Sequence, residues 1–292
     1  MGKLKEKIIE SLLAVSGLLT ILTTIGIIWV LFSESISFFS HVPLSDFLFD
    51  TQWTPLFVNK QYGILPLVCG TFLISIIAIL VAMPIGLTIA VYLSEYAPQK
   101  FRRVIKPLLE VLAAVPTVVY GFFALTVLTP FLQKFIPDLG SFNALSAGIV
   151  MGIMIIPLVS SLSEDALYAI PKSLREASYG MGATRFQTAF KVAVPAASSG
   201  IVVSVILAIA RAIGETMIVT IAAGQRPVIT IDPRDAVETI TAYIVQVSLG
   251  DVQHGSLEYQ TIFAVGITLF IFTFILNNIS FWAKKKYHQK YE

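Results

Sequence analysis

Six runs of this chain, at about 8–32, 67–93, 107–132, 142–162, 196–223 and 259–282, are apolar over lengths that suit the interior of a lipid bilayer. Crossing hydrocarbon takes roughly 20 apolar residues in a helix. Inside it the backbone must satisfy its own hydrogen bonds, which leaves helices for runs of this length and continuity. The sequence therefore predicts an all-α integral membrane protein with six transmembrane helices. The whole chain, 1–292, reads as one transmembrane domain, with an N-terminal span at 8–32 and a core at 67–283. The first run is too long for a secretory signal and ends in Glu34-Ser35-Ile36, with no small-residue cleavage site, so it reads as an anchor.

Lysine and arginine set the orientation, because they accumulate in cytoplasmic loops. The amino terminus, the 97–106 loop, the 163–195 loop and the tail hold 15 of the 20 basic residues. Lys60, Lys134, Arg226 and Arg234 fall on the other side. Both termini and the 163–195 loop are expected in the cytoplasm of a multi-pass protein of the cell membrane. The segment between Arg226 and Glu258 then lies outside; the stretch from Ile231 to Glu238 looks too polar to insert and serves as a docking surface or a solvated connector.

Within the spans, Arg211 and Glu215 stand out. They are four residues apart, on one helix face and within pairing reach. A charged residue at a span centre costs about 2.5–3.5 kcal/mol on insertion scales, so it marks a transport path or a structural bridge. Glu110 sits within a turn of the basic loop, where Arg103 or Lys106 offers a partner at the membrane surface. Pro84, Pro116 and Pro157 interrupt their spans and read as kinks, with Pro84 or Pro116 as alternative hinges for alternating access.

Other chemistries find little support. The net charge of +2 suggests no nucleic-acid partner. The single cysteine, Cys69, lies in an apolar run and reads as a small buried hydrophobe. His41, His254 and His288 all fall outside the spans, so neither metal nor cofactor is expected. No G-x-x-x-x-G-K-[ST] loop is present, so any ATP hydrolysis belongs to another polypeptide.

The long polar interruption from Asp165 to Pro195 is the most informative stretch. Pro171 suits a helix start, Gly180 and Gly182 break the helix, and Thr184 caps a second one that places Phe186 and Phe190 on one face. Its pattern of Glu176-Ala177-Ser178, Gly182, Val192, Val194 and Pro195 resembles the EAA loop of ATP-binding-cassette importer permeases. Ser178 replaces the second alanine there, and Val192 and Val194 replace isoleucine and leucine. The resemblance implies a type I importer permease bundle whose 163–195 loop forms a cytoplasmic coupling helix seated on an ATPase subunit.

A finer resemblance rests on Arg211-Ala212-Ile213-Gly214-Glu215-Thr216-Met217, on Gly63-Ile64-Leu65-Pro66 with Gly70-Thr71, and on Tyr92-Leu93-Ser94-Glu95-Tyr96. These look like the phosphate-specific permeases. Thr216-Met217-Ile218-Val219 leans towards the PstC type over the similar PstA type. That resemblance implies a phosphate path at Arg211 and Glu215. It also implies a second permease subunit, two copies of a cytoplasmic ATPase, an extracytoplasmic phosphate-binding protein and surrounding lipid as partners. The competing readings are a permease for sulfate or molybdate and an ion-coupled secondary carrier; an intramembrane enzyme lacks its residues.

Overall fold

The structure is a computed structural model that describes residues 2–287, with side chains over 6–282. Lys3, Lys5 and the basic tail from Lys284 onward, which enter the orientation argument, lie outside the described side chains. Among the described residues the chain is helical, with no β-strand beyond one isolated bridge between Trp53 and Tyr62.

The first helix, α1 (Gly2–Phe39), leans on the last, α14 (Leu257–Tyr287), and otherwise presents apolar side chains outward. Along its exposed length the hydroxyls turn back onto the helix itself. Ser16, Thr20, Thr23 and Thr24 each donate to the carbonyl four residues back, at 2.8–2.9 Å, as a helix in an apolar solvent requires. A short helix, α2 (Leu44–Phe49), follows. It helps close an aromatic cluster in which Phe38, Phe47, Trp53 and Tyr243 meet edge to face at centroid distances of 4.9–6.2 Å.

The centre of the molecule is the pairing of α3 (Leu65–Val91) with a later helix, α7 (Ala144–Tyr168). Small residues let the two backbones approach. A Cβ placed on Gly148 would sit 2.6 Å from the Ile77 side chain, and one on Gly152 would sit 2.7 Å from Val81. Gly86 meets Val159 in the same way, at 2.8 Å. This is how membrane helices associate when hydrophobicity alone cannot hold them together. Asn143 starts α7 by accepting the Ser146 N–H at 2.7 Å.

Among the described residues four helices are long and apolar enough to span a membrane unbroken, and two bent helix pairs are apolar enough to bring the number up to six if each is one span. The third expected span is one of the bent pairs. Its first part, α4 (Gln99–Ala114), turns by 83° into α5 (Thr117–Phe123), which continues through a π turn into α6 (Thr129–Gln133). Val115 precedes Pro116, and the proline ring pushes its neighbour to extended backbone, here ψ 129°. Pro116 thus ends a helix where a mere kink was expected. The basic stretch expected as a loop at 97–106 is the start of α4, which begins after Pro98.

The fifth span is broken twice. After α8 (Lys172–Gly180) and α9 (Arg185–Thr188), a π turn leads to α10 (Val194–Ala196), which bends by 70° into α11 (Ser198–Ile213). A second break at Gly214–Thr216 precedes α12 (Met217–Ala222). The segment after it also differs from expectation. Asp232 and Arg234 pair at the surface, but Val237, Glu238 and Thr239 are buried and lead into α13 (Ile240–Leu249), whose Ile240 and Tyr243 fill the core. The expected connector is therefore part of the packing over its second half. Its apolar run was too short to read as a span.

Candidate functional site

Arg211 occupies the last turn of α11 and opens onto a cavity of about 270 Å³ between α4, α7 and α11. Lys106 and Glu110 line it from α4, and Ser161 and Glu164 from α7. Two of these residues are cations, and they are held differently. Lys106 is committed to Glu164 at 3.1 Å and to Asp165 at 2.7 Å. Arg211 makes a single 3.5 Å contact with Glu215 and keeps 49% of its side chain exposed. At that distance and with one partner half exposed, the contact is a loose one that does not fix the guanidinium. The guanidinium is thus free to turn its donors towards an anion in the cavity.

Glu215 is the fixed member of the pair. Its side chain is 2% exposed, and Oε1 accepts the Met217 N–H at 3.2 Å, which caps the start of α12. Its carbonyl accepts the Thr241 hydroxyl at 2.6 Å, tying the break between α11 and α12 to α13. The two residues were expected on one continuous helix face. They do meet, but across the turn at Gly214 where α11 ends. That turn leaves the arginine on the cavity side and the carboxylate behind it.

The loop residues lie at the end of the bundle that carries α8. Glu176 and Ala177 are exposed on α8, and Ser178 bonds Thr188 at 2.9 Å. Gly182 takes φ +80° in open space, the conformation that favours glycine, whereas Gly180 ends α8 within helical backbone. Thr184 and Gln187 form a reciprocal capping box on α9, and the Phe186 and Phe190 rings meet at a 40° tilt with centroids 4.6 Å apart. Val192 belongs to the π turn Ala189–Ala193, and Val194 and Pro195 open α10.

The roles of four ionisable residues were missed. Glu164, only 1% exposed, draws Arg102 and Lys106 of α4 onto α7, and Arg102 also lies 4.2 Å above the Tyr168 ring. Lys106 therefore goes to α7, and Glu110 faces the cavity without the ion pair anticipated for it. Glu95 and Arg175 form a buried bridge. Glu238, between α12 and α13, is buried with Oε1 unbonded, and burial pushes its carboxyl up to about 8. The Glu164 signal was present in the sequence as an acidic pair directly after an apolar run; the others depend on long-range contacts.

Residues 82–289 match the family described as the inner membrane component of binding-protein-dependent transport systems. The chain belongs to that family. Among curated proteins, this permease is 40% identical over 231 residues to a probable ABC transporter permease, YqgH, of Bacillus subtilis, covering 79% of this chain and 74% of that one. It is 34% identical over 249 residues to the phosphate transport system permease protein PstC of Mesorhizobium japonicum, covering 79% and 75%. Its fold matches a chain of the MetNI methionine ABC transporter in an inward-facing conformation, with a TM-score of 0.59 at 19% identity over 76% of this chain and 96% of that one. A chain of a bacterial alginate ABC transporter gives 0.57 at 16% identity, covering 94% and 96%. The matching relatives are transport subunits, and this permease is one as well.

Proposed function

We propose that this chain is the PstC-type permease subunit of an ATP-driven phosphate importer and that Arg211 receives the anion. The observation that carries the reading is the half-exposed Arg211 guanidinium facing a cavity, loosely balanced by a buried Glu215. Phosphate cannot cross hydrocarbon unpaired. A guanidinium offers it a planar fork of donors, and a nearby carboxylate keeps that fork from trapping the anion. The likeness to PstC proteins supports phosphate over sulfate or molybdate.

In this reading the four unbroken helices and the two bent pairs make six spans, with both termini and the 163–195 loop in the cytoplasm. The exposed face of α8, with Glu176 and Ala177, meets a separate ATPase present in two copies. Gly182 sets the bend after α8, while Ser178 and the run Val192, Val194 and Pro195 join the loop to α11. A second permease closes the open side of the cavity, and a phosphate-binding protein delivers the anion from the other face. Labelled phosphate uptake into vesicles holding the whole complex should require ATP on the α8 side and resist excess sulfate. Strong sulfate competition moves the assignment to another oxyanion, and uptake driven by an ion gradient without ATP removes it.

A further inference from the structure

The helix read as the ATPase-docking element is joined to the ends of α3 and α7 by the hydrogen bonds of one side chain, beside the packing of Leu174 and the Ser178–Thr188 contact. No residue of α8 is fully buried, and its exposed face carries Lys172, Ser173, Glu176 and Tyr179. On the inner face Arg175 reaches three acceptors on two other elements. Its Nε and Nη2 donate to the Glu95 carboxylate at 2.8–3.2 Å. Its Nη2 also donates to the Leu167 carbonyl at 2.7 Å, and Nη1 to the Ile170 carbonyl at 2.9 Å. Side-chain exposure is 16% for Arg175 and 4% for Glu95, so the contact is enclosed and bidentate.

The acceptors are placed by backbone geometry. Leu167 is near the C-terminus of α7 and Ile170 just beyond it, where carbonyls lack partners within the helix. Glu95 lies in the π turn Tyr92–Tyr96 that closes α3, and Ser94 donates to the same carboxylate at 3.2 Å. One guanidinium therefore joins α8 to the ends of both α3 and α7. Those two helices are the pair locked by Gly86, Gly148 and Gly152, so they move as a unit. The same unit supplies Pro157, Ser161 and Glu164 to the Arg211 cavity. A displacement of α8 reaches the cavity wall through this joint.

We propose that Arg175 and Glu95 form the latch that transmits movement of the docking helix to the α3–α7 pair, which makes Arg175 a positioning residue for transport. The latch rests on reading α8 as the docking element. Its failure should separate ATP turnover from uptake while leaving the complex assembled. Contacts of α8 that do not involve Arg175, such as Ser178 with Thr188, stay in place to hold the loop.

The test uses the whole complex in vesicles, measuring ATPase co-purification, ATP hydrolysis and labelled phosphate uptake for Arg175→Ala, Glu95→Ala, their combination and Arg175→Lys. The expected result is retained ATPase and continued hydrolysis, with uptake per ATP lowered about tenfold in either alanine variant, within the usual range of coupling between sites. The combination should be no worse than either single change, because both remove one joint. Arg175→Lys should fall between, since lysine keeps the charge without the planar fork. Normal uptake per ATP in the alanine variants overturns the latch. So does loss of the ATPase from them, which assigns the pair to loop folding alone. Glu176→Lys, on the exposed face, reports the docking reading separately: normal assembly and transport by that variant removes α8 as the docking element, and the latch with it.

Discussion

Arg211 and Arg175 carry the same guanidinium in opposite settings. Arg175 is enclosed and shared among Glu95, Leu167 and Ile170, whereas Arg211 keeps half its side chain in a cavity and touches Glu215 at 3.5 Å. Glu215→Gln should keep the cap on α12, because an amide oxygen still accepts the Met217 N–H, while removing the charge that balances Arg211. Uptake kinetics should then show a lower maximal rate with a lower KM, as the anion is held longer; an unchanged profile removes the balancing role. Glu238 gives a pH prediction. Its buried carboxyl titrates at about 8 against an ordinary value of 4.5, so it folds in the neutral form. Its contribution is complete below 4.5 and is lost as pH climbs through about 8. The thermal midpoint of the purified complex should fall across that window and fall less in Glu238→Gln. Equal slopes contradict a neutral buried acid.

At the scale of elements, Gly182 is the position where the backbone itself decides. Its φ of +80° is strained for a β-branched residue, at roughly 1–3 kcal/mol. Gly182→Val should therefore misplace α8 relative to α9 and reduce ATPase co-purification, whereas Gly180→Ala, in helical backbone with open space around it, should be neutral. Matching losses from both changes contradict this account. Much of this loop was legible, because caps and positive-φ glycines are local signals: Thr184 and Gln187 make their box within four residues. The breaks in the third and fifth spans were not. Hydropathy runs straight through Val115 and Gly214, and a proline in a span reads equally as a kink or an end until packing chooses. The Arg175–Glu95 joint lies beyond such reasoning altogether, since its partners are 80 residues apart. Nor did the apolar run in α13 outweigh its polar flanks, so a core helix passed for part of a connector.

Across the whole molecule, the locked α3–α7 pair forms the frame, with α8 at one end and the Arg211 cavity along its side. Its seam tolerates no added volume: Gly148→Leu must drive a side chain into Ile77, and overpacking of this kind costs about 1–3 kcal/mol. The frame also has a fixed direction if α8 lies in the cytoplasm. Ser173 on α8 and Asp138 in the turn after α6 are both exposed, so cysteines there, in a Cys69→Ala background, should label from opposite faces of sealed vesicles. Labelling from one face reverses the orientation argument. The central claim is that Arg211 receives phosphate, and uptake of labelled phosphate by the reconstituted complex tests it most directly. Arg211→Ala should assemble yet lose uptake, Arg211→Lys should be impaired, and the paired change of Arg211→Met with Glu215→Leu, which strands no charge, should stay inactive. Normal phosphate uptake by that paired variant would make Arg211 and Glu215 a structural bridge and contradict the account.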